Sequence, residues 1–278
     1  MNGMSSTNTE TPGTQPCVRL SNISVWFEDF EALKDVSVEF PLGKTTLIMG
    51  PSGCGKSTLL KVAAGLLPPD RGEVEIAGVD ALRGRPRALS AMRKSTGFVF
   101  QDAGLWQNMS LYDNLALPIE FHYPERTEGV VRRHIYDWAK RFDLISVLPL
   151  RPATLSGGER KLISFCRAMI LNPNLLFLDE PTTFVDRLGV ERMLNILREK
   201  KSAGCSMIGV THDADLTSQL ADYIVVMKAG ELRVFGTLSE VARSKDPEVR
   251  EILADVLDEA ATYDGDILDL LEPNGDLF

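Results

Sequence analysis

A glycine-rich segment constrains the fold of this 278-residue chain more than any other feature. The segment GKTTLIMGPSGCGKST carries two Gly-Lys-hydroxyl triplets, at residues 43–45 and 55–57. A phosphate-binding loop needs the spacing G-x-x-x-x-G-K-[ST], in which successive backbone N–H groups curl around phosphates. Val38 stands where the first triplet would need its glycine, whereas Gly50 completes the second. We therefore predict that the second triplet ends a phosphate loop and that the first supplies only a turn and a surface lysine.

The residues on either side of the second triplet support this prediction. LIM before Gly50 is a short apolar run typical of a buried strand, and STLLKVAAG after Gly55 has helical apolar spacing. A strand, a glycine turn and a helix start bring the positive end of the helix dipole to the phosphates. The residues expected to hold the nucleotide here are Gly50, Pro51, Ser52, Gly53, Cys54, Gly55, Lys56, Ser57 and Thr58.

Acidic residues follow a second apolar run, LLFLDEP at 175–181. Ligands of open α/β sheets bind at the carboxyl ends of the strands. With a phosphate loop upstream, we expect Asp179 to hold the water shell of Mg²⁺ and Ser57 to contact the metal directly. Glu180 is expected to orient and deprotonate an attacking water. Without the upstream loop, the pair could equally be two exposed acids at the end of a strand.

A histidine follows a third apolar run, in MIGVTHD. A lone histidine after a strand is more often structural than catalytic. His212 falls where the γ-phosphate is expected, so we predict a hydrogen bond from its ring to that group.

The segment LSGGERK at 155–161 opens a second predicted helix, GERKLISFCRAMIL. Ser156, Gly157 and Gly158 would leave N–H groups free at its start, which makes a second anion site. One nucleotide does not need two such sites. Two chains arranged head to tail would use both, with the phosphate loop of one and the SGG of the other on the same triphosphate. The alternative is an ordinary helix cap.

Composition indicates a globular chain, with 44% apolar and 25% charged residues. No apolar stretch approaches the roughly eighteen residues of a membrane span. Residues 1–17 are polar and lack an apolar signal core, so we expect a disordered lead there. Four scattered cysteines show no metal-ligand spacing, which is compatible with a reducing cytoplasm.

The net charge of −9 is concentrated at the end of the chain. Residues 246–278 hold eleven acids and one arginine, a net −10 that leaves the remainder at +1. This distribution argues against nucleic-acid binding through a basic surface. It also argues against direct binding of the acidic segment to an anionic membrane.

The same segment carries a helical pattern. Asp246 and Pro247 are typical of a helix start. An apolar stripe at helical spacing follows, formed by Val249, Ile252, Leu253, Val256, Leu257 and Ala260. The helix either folds back on its own core or packs on a partner chain.

The order of these motifs resembles the ATP-binding subunit of ATP-binding-cassette (ABC) transporters. The resemblance covers roughly residues 18–243 and comprises the phosphate loop, FVFQD, LSGGE, LLFLDEP, TTFVD and VTHD. LSGG is its specific part, because other phosphate-loop ATPases lack it. The resemblance implies an α/β fold with a RecA-like P-loop NTPase core, an inserted α-helical subdomain and a C-terminal helical tail. The implied division is a lead at 1–17, an ATPase domain at 18–245 with the subdomain at about 99–159, and an acidic tail at 246–278.

The resemblance also implies roles for further residues. Phe27 matches the aromatic residue that stacks on adenine, where tyrosine is commoner. Gln101 matches a glutamine that contacts Mg²⁺ and water and senses the permease, and Asp186 matches an aspartate that couples two sites across a dimer. His212 matches the switch histidine. The SGG group with Glu159, where glutamine is usual, would contact the partner's ATP.

Three further positions depart from the family pattern. Lys161 stands where arginine is commoner. Phe184 and Val185 replace the usual small residues before Asp186, which puts cooperativity between two sites in doubt more than hydrolysis itself.

The implied function is an ATPase that uses ATP and Mg²⁺ to drive a separate integral-membrane permease. The expected partners are a second copy of the chain, the permease and an accessory or substrate-binding protein, with no nucleic acid. The expected location is the cytoplasmic face of the membrane, reached through the permease.

Two stretches, GLWQNMSLYDNLALPIEF and GTLSEVARSKDPEVREIL, resemble MCE-type (mammalian cell entry) lipid transporters and favour phospholipid transport across the cell envelope. The alternatives are another transport system, such as lipoprotein release or amino-acid uptake, and a non-transport ATPase for iron–sulfur assembly or cell division.

Overall fold

The computed structural model describes residues 16–244 and 246–252. Its strands are β1 Pro16–Phe27, β2 Phe30–Pro41, β3 Thr45–Met49, β4 Arg71–Ile76, β5 Val79–Asp80, β6 Thr96–Val99, β7 Leu175–Asp179, β8 Ser206–Val210, β9 Tyr223–Lys228 and β10 Glu231–Thr237. Its helices are α1 Lys56–Ala63, α2 Pro86–Ser95, α3 Leu111–His122, α4 Glu128–Lys140, α5 Gly157–Met169, α6 Arg187–Ser202, α7 Ala214–Leu220 and α8 Leu238–Ala242.

A six-stranded sheet in the order β10-β9-β3-β8-β7-β6 forms the centre of the core. Every pair in it is parallel except β9 with β10. All residues of β3, β7 and β8 are buried, as expected for apolar runs that are covered on both faces. The three strands predicted from LIM, LLFLD and MIGV are therefore confirmed, and their carboxyl ends meet at one edge. The fold class is α/β, as predicted.

A four-stranded antiparallel sheet, β2-β1-β4-β5, packs on helix α1. This sheet was not predicted from the sequence. Its long strand β1 begins at Pro16, so the predicted disordered lead at 1–17 is wrong for residues 16 and 17, and the rest of that lead lies outside the described residues. Cys17 is buried and the strand pairs Pro16 with Pro41, because an apolar side chain and ladder hydrogen bonds extend the strand beyond the polar residues.

The helical region between β6 and β7 contains α3 and α4, which pack on each other and on α5. The predicted helix RRHIYDWAKRFDLI, residues 132–145, is confirmed only up to Lys140, where α4 ends; residues 141–143 form a turn. The apolar face of α4 buries Val131, Ile135 and Ala139. Ser110 begins α3 with a capping box to Asp113. None of the helices in the described part of the chain is long and apolar enough to cross a bilayer.

The hairpin predicted in YIVVMKAGELRVFG is β9–β10, with Ala229 and Gly230 at positive φ in its turn. Residues 247–252 are helical, and the Asp246 carboxylate accepts from the N–H of Glu248, as expected for an N-cap. Val249 and Ile252, the first two members of the predicted stripe, are buried in the core. The rest of the stripe, from Leu253, lies outside the described residues.

Candidate functional site

The phosphate loop lies between β3 and α1 in a conformation that requires glycine. Gly50 has φ +149°, and a Cβ there would lie 2.2 Å from the carbonyl oxygen of Met227. Gly53 has φ +76°, and its missing Cβ would face open space. At Gly50 the loop backbone therefore packs against β9, whereas at Gly53 it faces open space. This geometry lets the backbone N–H groups approach a phosphate.

The start of α1 is prepared for an anion. Its N-cap is Gly55, with no side-chain cap and no acid in the first turn. The first N–H groups of a helix have no intrahelical acceptor, so they point at whatever lies in front of the loop. The ammonium of Lys56 is buried and donates to the carbonyl oxygens of Gly50 at 2.6 Å and Pro51 at 3.0 Å. These acceptors are neutral, so the positive charge remains to attract phosphates.

Lys44, from the rejected triplet, is exposed, and Gly43 before it has positive φ, as predicted.

The hydroxyl of Ser57 donates to Oδ1 of Asp179 at 2.8 Å. This bond joins the first turn of α1 to the carboxyl end of β7, and Asp179 is 1% exposed. Hydroxyl and carboxylate oxygens suit Mg²⁺, which takes one or two protein ligands together with waters and substrate phosphates. No group of three or more His, Cys, Asp or Glu side chains in the described residues could hold a metal. The pair therefore fits an ion completed by phosphate oxygens and does not fit an all-protein site.

Glu180 lies next to this pair in an unusual environment. Its φ is +47°, which is strained for a residue with a Cβ, and its N–H donates to the carbonyl of Val210 at the end of β8. Burial raises the pKa of its carboxyl to about 7, against the opposing effect of a hydrogen bond from the backbone N–H of His212. A carboxylate with a pKa near 7 is poised to act as a general base at neutral pH.

The ring of His212 faces this carboxylate, with Nε2 3.5 Å from Oε1 of Glu180. His212 follows β8, and Asp213 after it caps α7 by accepting from the N–H of Leu216. The structure therefore brings Lys56, Ser57, Asp179, Glu180 and His212 to one edge of the sheet, where the sequence analysis placed them.

Gln101 is exposed, and no hydrogen bond within the described residues joins its side chain to Ser57, Asp179 or Glu180. Its backbone carbonyl instead accepts from the ammonium of Lys161 at 2.5 Å, and the carbonyl of Phe100 accepts from the same group at 2.8 Å. Lys161 is 1% exposed, and burial lowers its pKa.

Lys161 departs from the family pattern, and its contacts with these two carbonyls were not predicted. Lys161 is in phase with Phe165, Ala168 and Met169 on the buried face of α5. A charged residue in phase with an apolar stripe was the signal that could have revealed its burial.

The SGG segment begins α5 with a capping box. The hydroxyl of Ser156 accepts from the N–H of Glu159, and the carboxylate of Glu159 accepts from the N–H of Ser156. The predicted helix start is therefore confirmed, and within one chain the helix-cap alternative applies. The anion site for a partner's triphosphate stays a prediction. A Cβ at Gly158 would lie 2.6 Å from the carbonyl oxygen of Phe184, so Gly158 packs directly on the loop between β7 and α6.

Phe184 lies against the start of α5 and is 79% exposed, with φ +68°. Asp186 two residues later caps α6 by accepting from the N–H of Gly189 at 2.8 Å. Phe27 lies at the turn between β1 and β2 and is half exposed, beside the exposed Phe30 that the sequence analysis did not consider. No hydrogen bond within the described residues joins these groups to the phosphate loop.

Comparison with known proteins places the chain in a large family. The ABC transporter family model matches residues 33–183. The sulfate/thiosulfate import ATP-binding protein of Cucumis sativus is 35% identical over 81% of the chain, and that of Acinetobacter baylyi is 33% identical over 89%. The chain spans 63% and 69% of the lengths of these two relatives.

A solved structure of the ATP-binding cassette MJ0796, dimeric and in a post-hydrolysis state bound to ADP and Pi, is similar with a TM-score of 0.73. It is 29% identical, and the match covers 80% of this chain and 98% of that one.

Proposed function

The chain belongs to the ABC transporter family of ATPases, and we propose that it binds and hydrolyses ATP to energise a separate membrane permease. The observation that carries this proposal is the cluster at the sheet edge, in which a buried carboxyl with a raised pKa lies beside a metal-type oxygen pair and an open helix N-terminus.

Each residue of the cluster has a distinct task in this proposal. Lys56 and the N–H groups of the loop bind the β- and γ-phosphates. Ser57 and Asp179 hold Mg²⁺, which neutralises charge on the phosphates when it is bound. Glu180 accepts the proton of the attacking water, and the backbone N–H of His212 keeps the carboxylate oriented towards it.

The nucleotide assignment is tested by a matched pair of lysine variants. We expect Lys56→Ala to weaken ATP binding at least about tenfold, because a buried charge facing the phosphates is lost. Lys44→Ala removes an exposed lysine from the other triplet and should bind ATP like the wild type. Isothermal titration with ATP and Mg²⁺ measures both. Equal affinities for the two variants would contradict the assignment.

The proposal includes a head-to-tail dimer of two copies of the chain. The SGG helix start and Phe184 form a second, exposed surface that is separate from the phosphate loop in one chain. A partner chain would place its triphosphate there, and the dimeric form of the MJ0796 cassette is compatible with such an arrangement. The permease would dock on the same assembly and hold it at the membrane.

For the transported substrate we propose phospholipid, on the two MCE-type stretches alone. The relatives reported above carry the name of sulfate/thiosulfate import and give this proposal no support. Oxyanion import is therefore the rival substrate class, because a cassette of one system shares its core motifs with cassettes of another.

The two substrate classes are separated by purifying the tagged chain with its membrane partner. Mass spectrometry of bound phospholipid, compared with stimulation of ATP hydrolysis by a sulfate-binding partner, gives opposite results for the two. A complex that carries phospholipid and ignores sulfate supports lipid transport, and the reverse result contradicts it.

A further inference from the structure

A cavity of about 530 Å³ lies at the amino ends of β6 and β7. The phosphate loop is at the carboxyl ends of the parallel strands, so this cavity is on the opposite edge of the sheet. It is bordered by the end of α2, the connection between α3 and α4, the helix α4 and the segment after α5. Its lining residues include Lys94, Ser95, Tyr123, Arg126, His134 and Asn172.

Two permanent cations line this cavity and lie against one tyrosine. The ammonium of Lys94 is 3.7 Å from the ring centroid of Tyr123, and the guanidinium carbon of Arg126 is 3.9 Å from the same centroid. Within residues 16–244 and 246–252, no ion pair joins either cation to a carboxylate, and no acid lines the cavity. Two like charges held together without a counter-charge attract an anion.

Neutral donors complete the lining. Lys200 donates to Oδ1 of Asn172 at 2.5 Å and to the carbonyl of Pro173. Because Oδ1 is occupied, the NH₂ group of Asn172 remains to donate to an acceptor in the cavity. Nε2 of His134 is 2.8 Å from the carbonyl oxygen of Ile170, which fixes the ring against the wall. The lining thus combines two cationic side chains with the amide donor of Asn172 and a His134 ring held by its hydrogen bond.

We propose that this cavity binds a phosphate group, either free or carried by a lipid headgroup. Inorganic phosphate and the phosphomonoester of phosphatidic acid carry up to two charges and several acceptor oxygens, which match two cations and the Asn172 amide better than a single carboxylate does. The bound phosphate would link Lys94 on the core side to Arg126 and His134 on the helical side. It is independent of the nucleotide, which occupies the other edge of the sheet.

The test uses the full chain with its phosphate loop saturated by ADP and Mg²⁺. Equilibrium dialysis measures binding of radiolabelled inorganic phosphate, and co-sedimentation measures binding to phosphatidylcholine vesicles with and without phosphatidic acid. We expect the double variant Lys94→Gln, Arg126→Gln to bind at least about tenfold more weakly than the wild type. The control Arg133→Gln, Lys140→Gln removes the same charge from exposed positions of α4 and should bind normally.

A third variant tests the aromatic ring while it keeps both charges. Tyr123→Leu keeps both charges and removes the ring that positions them, so it should also weaken binding. Loss of phosphate binding in the first and third variants alone identifies a free anion, and loss of phosphatidic acid binding alone identifies a headgroup. Either result supports the site. If the charge-matched control loses binding to the same extent as the cavity variants, or if neither probe binds to the wild type, the proposal is overturned.

Discussion

At the scale of single residues, buried charges organise the candidate site. Glu180 keeps a carboxyl beside an oxygen pair, with its pKa raised by burial to about 7. Lys161 carries its charge into α5 and donates to two backbone carbonyls of the segment that contains Gln101. A buried charge without hydrogen bonds would be costly, so these contacts are necessary for the charge to be retained.

The contribution of the two Lys161 hydrogen bonds to stability can be tested. Lys161→Met leaves the carbonyls of Phe100 and Gln101 without their donor, and we expect the free energy of unfolding to fall by about 1–3 kcal/mol. Lys140→Met, at an exposed position of α4, should change it by less than about 0.5 kcal/mol. Urea denaturation measures both. Equal stabilities would mean that the two bonds contribute nothing measurable.

At the scale of elements, the sequence predicted what local patterns determine. The strands before Gly50 and around LLFLD, the helix α5 and the β9–β10 hairpin follow from runs, periods and turn residues that lie close together in the chain. The antiparallel sheet was not predicted, because its register joins residues as distant as Ser24 and Arg71. The part of Glu159 in the capping box of α5 was also not predicted, although the spacing of Ser156 and Glu159 is the sequence signature of such a cap.

The exposed start of α5 gives an element-scale prediction. A Cβ at Gly157 meets only the side chain of Phe184, at 3.3 Å, so Gly157→Asp should fold and bind ATP at its own phosphate loop. Its carboxylate should repel the triphosphate of a partner chain and abolish ATP-dependent dimerisation. Gly129→Asp, where a Cβ on α4 meets nothing within 4 Å, is the matched control. Light scattering with and without ATP would show dimers for the control only; dimers for both would contradict the head-to-tail arrangement.

At the scale of the whole molecule, the acidic end of the chain differs from the nearly neutral body in charge, but its first residues pack on that body. The chain is nearly neutral up to residue 245, yet residues 247–252 are attached to its core. Val249 and Ile252 are buried, and Lys228 pairs with Glu248 at 3.0 Å. This arrangement supports the alternative in which the predicted tail helix begins by packing on its own core.

The attachment predicts a stability loss that does not require a partner. Ile252→Ala should lower the free energy of unfolding of the isolated chain by about 2–4 kcal/mol, because a buried side chain is truncated. Glu251→Ala, at an exposed position of the same helix, is the control. Thermal unfolding of the monomer measures the difference. An unchanged monomer combined with a lost complex would favour the partner-interface alternative.

The proposed mechanism of hydrolysis rests most directly on Glu180 as the general base. Single-turnover ATP hydrolysis over a range of pH tests this role. For the wild type, the single-turnover rate constant should rise with pH through about 7, because the reactive carboxylate form accumulates above the raised pKa of Glu180. Glu180→Gln should keep ATP affinity, lose this pH dependence and slow hydrolysis by about 10²–10⁴-fold. Glu191→Gln, an exposed control on α6, should hydrolyse ATP normally. A Glu180→Gln chain that turns over ATP at close to the wild-type rate would contradict the central claim.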